Sequence, residues 1–129
     1  MRILLDTHVW LWFYAGERRL SSRLQALLED ESNEFWLSPI SVWEALLLAQ
    51  RGRIACAPDP VTWVSQALRG GPFREAQLTT SIAIRSRLLN LAHEDPADRF
   101  IVATALEMGL HLASHDQHLQ NVPGLTTLV

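Results

Sequence analysis

Short apolar runs alternate with longer amphipathic ones along this chain, and that alternation restricts the fold more than any other feature. Residues 2–5 read as a strand, then Val9 to Tyr14 as a short aromatic helix. "LSSRLQALLED" follows as a helix with Ser21 or Ser22 as cap and Leu24, Leu27 and Leu28 at helical spacing, and "EFWLS" as the next strand. In "SPISVWEALLLAQRG", Pro39 stands near a helix start and Gly52 where a left-handed C-terminal residue belongs. "DPVTWVSQALRGG" repeats this with Asp59 as cap and Pro60 at the first helical position. "TTSIAIRSRLLNLA" predicts another helix, and "DPADRFIVATALEMG" one capped by Asp95, opened by Pro96 and closed by Gly109. "HLAS" and "LTTLV" read as late strands, and "ALRGGPF" as a loop between elements. Such alternation predicts an α/β domain with a mainly parallel sheet covered on both faces.

At 129 residues and 48% hydrophobic content the chain suits one domain, residues 1–129, with a substantial core. No apolar stretch reaches membrane-spanning length, and Asp6 and His8 interrupt the N-terminal run that a secretory signal would need. With Cys56 as the single cysteine, these features predict a cytoplasmic protein without an internal disulfide or cysteine-based zinc site. The formal charge of −3 argues against overall basicity as a means of holding nucleic acid. All 11 basic residues are arginine, which excludes a lysine nucleophile, a Schiff base or a P-loop lysine.

Four acids occupy places where acids are costly. Asp6 ends the apolar run Ile3–Leu5, and Asp116 follows "HLAS"; both fall at strand C-termini, where open parallel sheets place their ligand crevice. Glu44 shares a helical face with Ile40, Leu47 and Leu48, and Asp98 with Ile101, Val102 and Ala105. A buried carboxylate without a partner costs several kcal/mol or takes up a proton, so each needs a cation, donors or water. Four converging carboxylates would repel one another. A divalent cation resolves that repulsion, and hard oxygen ligands favour Mg2+ or Mn2+ over zinc. Simpler roles exist for each. Asp6 suits a helix cap, Asp98 complements a helix N-terminus three residues after Asp95, Glu44 fits a paired core acid and Asp116 a turn.

"LLDTHVWLW", "SPISVWEALL", "DPADRFIVATA" and "ASHDQHL" occur in the order and spacing of the PIN-domain family, and the chain resembles its VapC-like toxins over essentially its whole length. The resemblance implies a three-layer α/β/α PIN-like fold and a metal-dependent endoribonuclease acting on RNA. Asp6, Glu44 and Asp98 match the family's metal-binding, catalytic acids and Asp116 its more variable fourth acid, while Asp95 corresponds to the helix cap. Thr7 would support Asp6 by a hydrogen bond. Ser114 stands where threonine is usual and keeps the hydroxyl, and His8 stands where many relatives have asparagine. A VapB-like antitoxin and a homodimer are further implications; no membrane association is expected, from the lack of a spanning apolar stretch.

Arg51, Arg53, Arg85, Arg87 and Arg99 are candidate phosphate contacts, although solvated helix faces account for most of them equally well. His111, His115 and His118 read as exposed turn residues, there being no HExxH arrangement. Trp10, Trp12, Phe13 and Tyr14 crowd one short helix and cannot all point inward, which favours a partner surface, antitoxin above all. An aspartyl-phosphate phosphatase would need an acid where His8 stands, and a phosphorelay receiver would need a lysine. A catalytically inert RNA- or protein-binding module is the remaining alternative.

Overall fold

In the computed structural model, residues 1–92 and 94–129 are described. Among them, β1 (Arg2–Leu5), β2 (Glu34–Leu37), β3 (Phe73–Glu75), β4 (His111–Ala113) and β5 (Thr127–Leu128) form one sheet in the order β3-β2-β1-β4-β5. Every pairing is parallel. Six helices cover it: α1 (Thr7–Ala15), α2 (Ser22–Glu29), α3 (Pro39–Gln50), α4 (Pro60–Leu68), α5 (Thr80–Leu88) and α6 (Pro96–Met108). The predicted three-layer α/β/α arrangement is what the chain adopts.

Period-two alternation in the strands divides the core. Ile3 and Leu5 of β1 join Phe35 and Leu37 of β2 in one cluster with Val9, Trp10 and Leu11 of α1, Leu24 and Leu28 of α2, and Val64 of α4. Leu4 and Leu112 point the other way, onto Ile101, Val102 and Ala105 of α6. Each fully buried leucine or isoleucine contributes about 1.5–3 kcal/mol relative to exposure, so both faces hold the sheet. α5 packs outside α6 through Ile82 and Ser86.

Local chemistry sets most boundaries. Ser21 Oγ accepts from Leu24 N, Ser38 Oγ from Ile40 N, Asp59 Oδ1 from Thr62 N and Thr79 Oγ1 from Ile82 N, each relieving an orphan donor at a helix start. Gly109 ends α6 at φ 65°, a conformation that glycine adopts without a Cβ clash.

Three boundaries differ from the sequence reading. α1 begins at Thr7, two residues early, because the side chain of Asp6 caps it. "ALRGGPF" is not wholly a loop: Phe73 opens β3, an edge strand whose "FRE" has no apolar alternation to announce it. α5 stops at Leu88 instead of running on towards Ala92, because Arg99 captures the carbonyls that further helix would have bonded. Its guanidinium donates to Ser86 O at 2.8 Å, Leu91 O at 2.8 Å and Leu89 O at 3.2 Å.

Candidate active site

The sheet order reverses at β1, whose neighbours β2 and β4 are reached by connections leaving in opposite directions; ligand crevices form at such a switch point, outside the strand C-termini. Asp6 stands there at the end of β1, its amide donating to Ala113 O of β4 at 2.9 Å. The side chain is buried. Its Oδ1 accepts from Thr7 N at 2.8 Å and its Oδ2 from Ser114 Oγ at 2.7 Å. Burial raises its pKa above the ordinary 3.8, the bonds from Ser114 and Thr7 and the proximity of His8 oppose the shift, and the charge of Asp116 adds to it.

Ser114, itself fully buried, ties two acids together: its hydroxyl donates to Asp6 and accepts from Asp116 N at 3.0 Å. Asp116 caps a short 3-10 helix, Gln117–Leu119, and its Oδ1 accepts from His118 N at 2.9 Å. Thr7 supports Asp6 through its backbone amide; its hydroxyl donates instead to Ser41 Oγ at 2.9 Å. Ser41 stands one turn before Glu44 on the inner face of α3, a pairing that i, i+3 spacing could have indicated.

Glu44 is half-buried, and its Oε1, sealed from solvent, has no hydrogen-bond partner among the described residues. Burial raises its pKa above 4.5; the Thr7 hydroxyl opposes this and the charge of Asp6 reinforces it. Asp98 is buried in the first turn of α6. Asp95 Oδ1 caps that turn, accepting from Ala97 N at 2.9 Å and Asp98 N at 3.3 Å.

A pocket of about 420 Å3 gathers Asp6, Glu44, Asp98 and Asp116, with Asp95 at its edge and His8, Trp12 and His115 completing the lining. Five carboxylates line it and, among the described residues, no arginine does. His115 is not the exposed turn residue that its sequence context predicts. Its ring lies 5.5 Å from that of Trp12 and its Nε2 accepts from Ser21 N at 3.3 Å. Its position directly before Asp116, at the end of β4, was the available signal. His111 likewise belongs to β4 and is half-buried, whereas His118 is exposed.

The donor set fits a hard divalent cation. Its five carboxylates are hard oxygen donors, Cys56 lies outside the pocket, and among the described residues Glu44 Oε1 is a buried acceptor without a donor. The carboxylates are spread around the pocket rather than drawn to a point: no three His, Cys, Asp or Glu side chains among the described residues form a ready-made metal cluster.

The family model of the PIN domain matches residues 3–125. The chain belongs to the PIN domain family. Ribonuclease VapC22 of Mycobacterium tuberculosis (strain ATCC 25618 / H37Rv) is 34% identical over 120 residues, which cover 92% of this chain and 90% of that relative. DNA-bound VapBC from Salmonella typhimurium superposes with TM-score 0.73 at 18% identity, over 99% of this chain and 97% of that one. VapC20 of Mycobacterium tuberculosis, described as a sarcin–ricin loop cleaving toxin, does so with TM-score 0.69 at 17% identity, over 96% and 98%. The two superpositions show the shared fold.

Within this PIN domain the arginines separate by role. Arg99, expected among the phosphate contacts, is buried, and its three carbonyl bonds make it an internal clamp. Arg85 pairs with Glu107 at 2.7 Å and Arg87 approaches Glu94 at 3.8 Å, so neither extends freely towards the pocket. Arg51 and Arg53 are exposed in the turn after α3. Trp10 is fully buried and leaves Trp12, Phe13 and Tyr14 as the accessible part of the aromatic segment. No helix of the described residues is long and apolar enough to cross a membrane.

Proposed function

We propose that this chain is a Mg2+- or Mn2+-dependent endoribonuclease, the toxin of a toxin–antitoxin pair, with Asp6, Glu44, Asp98 and Asp116 as the acids that hold the ion. The observation that carries the reading is Glu44 Oε1, which among the described residues is a buried acceptor without a donor in a pocket of five carboxylates and no arginine. Ionised, this arrangement repels itself; protonated, it is inert. A carboxylate-bound divalent ion supplies a water of lowered pKa and positive charge for a leaving phosphodiester oxygen. The chain's part is to fix the acids: Ser114 holds Asp6 Oδ2, the Thr7 amide holds Oδ1, and Ser114 also sets the turn that carries Asp116. RNA as substrate is supported by the name of the 34%-identical relative.

The test is cleavage of RNA by the purified chain in Mn2+ or Mg2+ and in excess EDTA. Activity should require the metal, and Asp6→Asn should reduce it more than the roughly 10–100-fold that follows loss of a residue merely supporting a ligand. Undiminished cleavage in EDTA would contradict the reading.

A VapB-like antitoxin is the expected protein partner, supported by the VapBC assemblies that share this fold. Trp12, Phe13 and Tyr14 offer it an apolar face beside the acids. Hydrogen exchange with and without the antitoxin should show new protection across residues 9–20, and unchanged protection there would move the contact elsewhere.

A further inference from the structure

Beside the acid pocket lies a second one of about 300 Å3, lined chiefly by Leu11, Trp12, Arg19, Arg53, Ile54 and Trp63, with Glu17 as the one carboxylate among its lining residues. Both pockets include His8 and Trp12, so the Trp12 indole is their common wall. The volume falls at the lower end of ligand pockets, about 300–1,000 Å3. Leu11, Ile54 and Trp63 belong to or pack on the core cluster and make its floor apolar and fixed. Two arginines reach it from different segments, Arg19 from the loop after α1 and Arg53 from the turn after α3.

Neither Arg19 nor Arg53 has an ion-pair partner among the described residues. Arg19 rests its guanidinium carbon 5.7 Å from the centre of the Trp12 ring, while His115 and His8 meet that ring at 5.5 and 5.7 Å. The indole therefore carries a flat cation on an aromatic surface that opens towards an apolar slot. A flat, sequence-tolerant π-face is what an unstacked base requires, and arginine forks suit its phosphate.

We infer that this pocket takes a base of the RNA adjacent to the scissile phosphate, stacked on Trp12, with Arg19 and Arg53 binding the phosphate of that nucleotide. The inference rests on the ribonuclease reading and assigns its substrate a second point of attachment. A base entering the slot takes the place of the Arg19 guanidinium on the indole, and the freed guanidinium turns to the phosphate. Charge favours the same occupant. The acid pocket repels RNA, so attraction has to come from its border, where two arginines, neither ion-paired among the described residues, outnumber the one carboxylate, Glu17.

The experiment uses Asp98→Asn protein, which binds without cutting, and single-stranded RNA spanning a cleavage site mapped with the wild-type enzyme. One abasic position is walked along the RNA. Removal of the base at one position flanking the cut should weaken binding about tenfold or more, with little effect elsewhere, as expected for a lost base–aromatic stack. Adding Trp12→Leu should erase the difference between intact and abasic RNA. Adding Arg53→Ala should lower the slope of log affinity against log salt by about one phosphate contact for all sequences. A flat abasic profile, or a position-specific loss that persists in Trp12→Leu, overturns the base pocket. If metal-dependent cleavage is intact in that case, the ribonuclease reading survives; RNA that is neither bound nor cut overturns both.

Discussion

Glu44 on α3 and Glu107 on α6 are both helical glutamates, yet they meet opposite surroundings. Glu107 accepts from Ser81 Oγ at 2.6 Å and from Arg85 at 2.7 Å, and those bonds hold its carboxyl below the ordinary 4.5. Glu44 has one buried oxygen with no partner among the described residues, and burial holds its carboxyl above that value. Glu34 resembles Glu107: Trp36 Nε1 donates to it at 2.7 Å, and Arg2 and Arg74 lie 3.5 and 3.6 Å away. Arginines meet these outer acids, and among the described residues none lines the pocket that holds Glu44.

The largest effect that sharpens this contrast separates two aspartates three residues apart. Asp98→Asn keeps the size and part of the hydrogen bonding but loses the charge, so cleavage at saturating Mg2+ should collapse with little change in metal-free Tm. Asp95→Ala should do the reverse, costing about 1 kcal/mol of stability as a lost cap while much of the cleavage remains. Active Asp98→Asn beside folded but dead Asp95→Ala would invert the two roles. The smallest effect belongs to Glu107→Gln, an exposed and fully partnered acid, which should leave cleavage and the metal-induced rise in Tm as they are in the wild type. A large loss of either would show that Glu107 and Glu44 are not functionally distinct.

Much of this was legible because it is local. Ser21, Asp59 and Asp95 announced their helices through short-range bonds, and the apolar runs of β1 and β2 announced the sheet. Asp6 was legible twice over, since it both ends the strand and caps α1. What escaped depends on tertiary neighbours. β3 exists because β2 offers an edge, and α5 ends where Arg99 reaches across from α6. Spacing placed Glu44 beside Leu47 and Leu48, but that one of its oxygens is sealed without a donor among the described residues depends on the tertiary neighbours of α3. His115 and Ser41 escaped for the same reason, each being defined by a contact with a distant segment.

The central claim, that the pocket acids hold a divalent ion, is tested most directly by the Tm increment produced by Mn2+ as a function of pH. Asp6 and Glu44 have folded-state pKa values above their ordinary 3.8 and 4.5, so the unfolded chain loses these protons first. The folded state is thus favoured at low pH, and metal-free stability falls as pH rises from about 4 through the raised values. Mn2+ binds the deprotonated acids, so its stabilising increment should grow across that window. The account predicts a positive, pH-dependent increment in the wild type and its loss in Asp6→Asn, whose metal-free Tm should match or slightly exceed that of the wild type. An equal increment in wild type and Asp6→Asn would contradict it.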